Sequence, residues 1–159
     1  MPGIGGAGGP VRVRYRAGLV DTAGNPAHAA TLIRERLILL DRALRDNPAE
    51  RARILCHERF HFVWARLGNP VRLSWETLLT SEGRARGEAG WSAEWRKRKL
   101  KPSDGAERTR KWREYCCESF CDTAAWIFTG TENGAENEVT LAKRYLMGRK
   151  LWFERHIME

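Results

Sequence analysis

His57-Glu58-Arg59-Phe60-His61 sets two imidazoles four residues apart, with a carboxylate directly after the first. Residues four apart on an α-helix are neighbours on one face. Both rings can therefore reach one tetrahedral metal ion at about 2.0–2.1 Å. Glu58 lies roughly 100° further round the helix, beside such an ion and not on it. From there a carboxylate can take a proton from water polarised by the metal and pass it to a leaving amine. These types at this spacing point to peptide-bond hydrolysis at one Zn2+, with His57 and His61 as ligands and Glu58 as general base.

A catalytic zinc needs a third protein ligand and an open position. Trp64 and Leu67 stand where a longer HExxHxxGxxH pattern has glycine and histidine, and His28 and His156 fall in turn-like or terminal contexts. The stretch Tyr115 to Asp122 offers a better candidate, since Glu118 and Asp122 are four apart in an otherwise apolar and aromatic setting. Carboxylates there are costly to bury without partners. A metal for Glu118 and a histidine N–H for Asp122 would satisfy both, with Asp122 orienting the ligand. The alternative is a solvated acidic ridge shared with Glu114. Cys117 and Cys121 have the same spacing, so His57, His61, Cys117 and Cys121 could instead close a structural zinc site that leaves Glu58 a bystander. Otherwise Cys116, Cys117 and Cys121 read as small core fillers. An oxyanion needs a further donor, and Tyr115, Tyr145, His156 or an arginine can supply it.

The elements that must position these groups are legible to different degrees. Asn47-Pro48-Ala49-Glu50 supplies an N-cap, a first-turn proline and a glutamate placed to bond back to the cap. Gly68-Asn69-Pro70 reads as the other end, a left-handed glycine and a proline stop. The helix between them has Ala52, Cys56, Phe60, Val63, Trp64 and Leu67 as its apolar stripe. Val11 to Tyr15 alternates like a half-buried strand, and Asp21 to Pro26 is a turn. Residues 34–44 fit a helix or a strand by periodicity alone. Ser74 to Ser81 predicts a short helix, and Trp91 starts another with Ser92 as its cap, broken at Lys101-Pro102. Arg108 to Phe128 predicts a second long helix ended by Gly130. Asn137 to Phe153 predicts a third, with Leu141, Tyr145, Met147, Leu151 and Trp152 as core contacts.

Composition narrows the classes. A length of 159 residues suits one domain. No apolar run approaches the roughly 18 residues of a membrane span. Residues 1–10 read as a flexible Gly-rich tail without the basic end or apolar core of a secretory signal, so the expected location is cytoplasmic. Thiols stay reduced there, which argues against disulfides. The net charge is +8, yet Arg84 to Arg113 holds eleven Lys/Arg against four acids, so this segment carries nearly all of it. Trp91, Trp95 and Trp112 interleave with those cations, the composition of a surface that stacks bases and binds phosphates. A solvated face with inward tryptophans is the plainer reading. A rim attracting an acidic or nucleic-acid-associated protein substrate would use the same residues.

HExxH on one helix with ExxxD on a later one resembles the gluzincin branch of zinc metallopeptidases. At this length the chain is most similar to single-domain minigluzincins, which include bacterial peptidases that cleave phage repressors or stress regulators. The resemblance covers roughly Arg34 to Phe128 and implies His57, His61 and Glu118 as zinc ligands, Glu58 as base and Asp122 behind a ligand. It also implies an edge strand just before the first helix, lining the substrate groove, and so favours Arg36 to Leu40 as strand. The distance from His61 to Glu118 is longer than in the compact members, and the basic segment at about 83–113 fills the gap as an insert. The expectation is an α+β, minimal zincin-like domain over 11–159. A small antiparallel or mixed sheet packs on three main helices, and the substrate adds as a strand. The alternative is a basic nucleic-acid-binding or regulatory domain with a structural, non-catalytic zinc.

Overall fold

The computed structural model describes residues 9–83, 85–130 and 139–159. Residues 1–8, and with them most of the expected Gly-rich tail, lie outside that set, as does the expected helix start at Asn137. Three strands come first: β1 (Arg12–Arg16), β2 (Ala29–Leu32) and β3 (Leu37–Asp41). They form one mixed sheet in the order β1-β3-β2, with β1 parallel and β2 antiparallel to β3. Among the described residues six α-helices follow: α1 (Pro48–Arg66), α2 (Asn69–Ser81), α3 (Trp91–Lys97), α4 (Pro102–Glu107), α5 (Arg110–Thr129) and α6 (Lys143–Phe153). The architecture is α+β with a small mixed sheet. Among the described residues no helix is long and apolar enough to cross a membrane.

Period-two burial sets the sheet. Ile38 and Leu40 on β3 are fully buried against Ile54 and Phe62 of α1, as alternating side chains on one face require. The strand before the first helix thus forms, but it is central and not at an edge. The edge facing α1 belongs to β2, a stretch left unassigned in the sequence because Ala29-Ala30-Thr31-Leu32 carries no alternation of its own. Pairing with β3, Ala30 opposite Leu39, gives it strand character.

Helix α1 is specified at its start. The Asn47 side chain accepts from the Glu50 N–H at 3.2 Å, while the Glu50 carboxylate turns to Arg53 and not back to the cap. Its other end differs from the expected stop. Gly68 sits at φ −64°, ψ 156°, an extended conformation, and caps α2, which Pro70 enters within the first turn. The same Gly-Asn-Pro triplet ends one helix and begins the next, so α2 is a fourth long helix of 13 residues. Helix α1 buries two faces. Cys56 and Phe60 point into the helical core with Trp75, Phe120 and Phe153, while Ile54 and Phe62 meet the sheet; Ala52 is exposed. Phe120 stacks on Phe153 with ring centroids 4.9 Å apart.

Helix α5 starts at Arg110 with Thr109 as its cap, and Gly130 ends it in the left-handed region at φ 69°. Helix α3 is capped by Gly90, leaving Ser92 within the first turn. In α6, Leu146, Arg149, Trp152 and Phe153 are buried, whereas Met147 and Leu151, expected in the core, are exposed. The basic segment is no appendage: α3 and α4 both pack on α5.

Candidate metal centre

Helices α1 and α5 lie against each other and bring their polar residues face to face. His57 Nδ1 is 2.7 Å from Asp122 Oδ1, and its Nε2 is 3.2 Å from Glu118 Oε2. His61 Nε2 is 3.9 Å from Glu118 Oε1, and the two imidazole centroids are 5.0 Å apart. His57 Nδ1–H donates to Asp122, so Nε2 faces Glu118, where a metal ion would take the place of its proton. A cleft of about 430 Å³ opens on this point, lined among others by His57, Glu58, His61, Arg96 and Glu118. Ala29, Ala30 and Thr31 of the sheet edge form its opposite wall. The Thr31 hydroxyl donates to Glu58 Oε2 at 2.5 Å, tying that carboxylate to the strand.

Electrostatics follow from burial and pairing. Burial alone would push His57 down, but Asp122 and Glu118 outweigh it and hold the imidazole well above its usual value. Burial likewise opposes ionisation of Glu118, yet the hydrogen bond from His57 and the charges of His61, His57 and Arg96 bring it to about 2. These are groups arranged to share positive charge at their centre.

The thiols also converge here. Cys117 Sγ lies 3.5 Å from His61 Nδ1. The ligand atoms of His57, His61 and Cys121 lie within 4.8 Å of one another, a group able to hold a metal ion. All four cysteines are free. Cys117 and Glu118 both line the cleft, although their positions on the helix argue that they cannot face one point equally well. Cys117 is held down at about 6 by the hydrogen bond from Cys121 and, against burial, by His61. Cys121 is fully buried and its thiol is pushed well up, first by that burial. A metal ion would deprotonate a coordinating thiol, so the raised Cys121 does not exclude it as a ligand. Access separates the two groups: Glu118 lines the cleft, whereas Cys121 is fully buried and does not.

Of the oxyanion candidates, none of Tyr115, Tyr145 and His156 lines the cleft. Tyr115 is buried and donates to Glu88, Tyr145 packs beside Leu141 and Leu146, and His156 lies against Trp152. The cleft's arginine is Arg96, with Nη2 3.6 Å from Glu118 Oε1. Nothing in the sequence separates Arg96 from its basic neighbours. Position on α3 does, because the Ala93 N–H donates to Asp122 Oδ2 at 2.8 Å and so docks this helix at the site. Gly90 permits the approach, since a Cβ there would meet the Asp122 carboxylate at 2.5–2.8 Å.

Two substitutions test this support directly. Asp122→Asn keeps the size but removes the charge behind His57, and is expected to lower metal affinity about 10–100-fold. Gly90→Ala should act in the same direction by displacing the carboxylate. Competition against a chromophoric chelator reads both, and unchanged affinity in the pair would show that Asp122 does not orient a ligand.

Comparison of the chain with protein-family models, curated proteins and solved structures finds no match.

Proposed function

We propose that this protein is a zinc-dependent peptidase of the gluzincin type, with His57, His61 and Glu118 holding the ion and Glu58 as general base. The observation that carries this is the position of the Glu118 carboxylate, 3.2 and 3.9 Å from the two histidine Nε2 atoms, at the mouth of a cleft that Glu58 also lines. Two imidazole nitrogens, each facing one oxygen of the same carboxylate beside open space, suit a zinc with a vacant position. Zinc in such a position supplies Lewis acidity toward a carbonyl and toward water.

The chain's own residues do the rest. Glu58 accepts a proton at its free oxygen while Thr31 holds the other, then returns that proton to the departing amine. Asp122 keeps His57 in the tautomer that presents Nε2. Arg96 directs its guanidinium into the cleft, where negative charge develops on the carbonyl oxygen. The free edge of β2 offers backbone groups to an extended peptide, which would bind by strand addition.

A direct test is hydrolysis of an unfolded, fluorophore-labelled protein. Activity is expected to disappear on chelation and return with about one equivalent of zinc. Hydrolysis indifferent to the chelator would contradict the proposal. The thiol cluster favours a second reading, a closed structural site of His57, His61, Cys117 and Cys121. In that case Cys121→Ala, and not Glu118→Ala, abolishes metal binding.

A further inference from the structure

Helix α3 has two unlike faces. Ala93 is fully buried and Lys97 turns inward, its ammonium donating to the Gly87 carbonyl at 2.9 Å and lying 3.3 Å from Glu88. Positions 91, 95, 98 and 99 fall together on the opposite side, at the one- and two-turn spacing of a helical stripe. That side carries Trp91 and Trp95 on the helix, with Arg98 and Lys99 in the turn directly after it. Trp91 is 56 % exposed, although tryptophan is on average a strongly buried residue. The Arg98 guanidinium lies 5.5 Å from the Trp91 ring centroid, and Lys99 Nζ and Arg96 each lie 4.4 Å from that of Trp95.

Trp112 marks the contrast. It is buried, and its indole N–H donates to Glu76 at 3.2 Å, so the fold explains it. The inward orientation expected of these tryptophans therefore holds for Trp112 and fails for Trp91. More than half of the Trp91 surface stays open to solvent, with the Arg98 guanidinium beside its ring.

We propose that this outer face of α3 binds single-stranded nucleic acid, with bases stacking on Trp91 and Trp95 and phosphates pairing with Arg98 and Lys99. Flat π-faces flanked by cations are what a run of unpaired nucleotides requires, because every base has a face to stack and every link a charge to neutralise. Stacking by a base outweighs the exposed cation–π contact it displaces. Arg98 also pairs with Glu94 at 2.8 Å, but this is a solvent-exposed pair four residues apart, weak enough to exchange for a phosphate. An acidic peptide would answer the charge yet leave the indole faces unused. Duplex DNA would hide its bases from them.

The test uses the full chain and a fluorescein-labelled 12-nucleotide oligothymidylate, read by fluorescence anisotropy. Binding is expected at 50 mM NaCl and should weaken about sevenfold by 200 mM, the slope for two phosphate contacts on a single strand. Trp91→Ala, which removes only an exposed ring, should weaken binding about tenfold at 50 mM salt. Lys99→Ala should lower the salt slope by about 0.7. His61→Ala should bind the oligonucleotide as the native chain does, so the outcome is independent of the metal centre and of the peptidase proposal. No binding at 50 mM salt, or full affinity in Trp91→Ala, overturns the inference. So does equal displacement by polyglutamate of matching length, which would mean that charge alone is read.

Discussion

Glu58→Gln is expected to retain a full equivalent of zinc and to hydrolyse peptide about 10²- to 10⁴-fold more slowly. The amide is nearly isosteric with the carboxylate, and the Thr31 hydroxyl can still donate to its oxygen. Glu58 is not among the groups that converge on the centre of the site, so the ligands His57, His61 and Glu118 are undisturbed. What is lost is a proton acceptor at the cleft wall. Metal content together with hydrolysis of a labelled unfolded protein separates the two roles. Native hydrolysis in this variant would remove Glu58 from the chemistry, and loss of metal would make it a structural group.

Arg149→Met should destabilise the fold by about 3–5 kcal/mol, the cost of leaving buried charges without a partner. Against a total stability of roughly 5–15 kcal/mol this is a large fraction. Arg149 is wholly buried and pairs with Glu82 at 2.7 Å and Glu88 at 2.6 Å. Ser119, Thr123 and Tyr115 of α5 complete the network. Burial favours the neutral form of Glu88, but Arg149 and then Lys97 outweigh it and hold the carboxyl below its ordinary 4.5. A depressed folded value means that this stabilisation is present above about pH 4.5 and is lost as the pH falls through the folded value, because the unfolded chain takes up its proton first. Urea midpoints at neutral and acidic pH read both effects. A midpoint shift worth under about 1 kcal/mol at neutral pH would mean that the pair is replaceable by packing. The network holds the segment that leads into α3, so its loss should also weaken metal binding through Ala93 and Asp122.

The two helices that carry the candidate site are the most legible part of this sequence because their signals are local. The Asn47 cap, the first-turn proline and the four-residue spacing of both motifs all lie within one helical turn of the residues they position. The helical period also aligns Glu118 with Asp122, and the structure places both against His57. What was not legible depends on contacts distant in the chain. Strand β2 gains its identity from β3, so a four-residue run without alternation gave no sign of the cleft wall. Gly68-Asn69-Pro70 suits a helix stop as well as a helix start, and packing of α2 against α5 decides between them. Glu82, Glu88 and Arg149 look like solvated charges until the fold brings them together. Thr31 and Arg96 enter the site for the same reason, each carried there by an element whose docking no short window encodes.

The proposed chemistry requires His57, His61 and Glu118 to converge on one cation. Metal content measured on the purified native chain and on His61→Ala, Glu118→Ala and Cys121→Ala tests it in one series. One zinc is expected in the native protein and in Cys121→Ala, and loss of that zinc in the other two. A full equivalent retained by Glu118→Ala but lost from Cys121→Ala would contradict it.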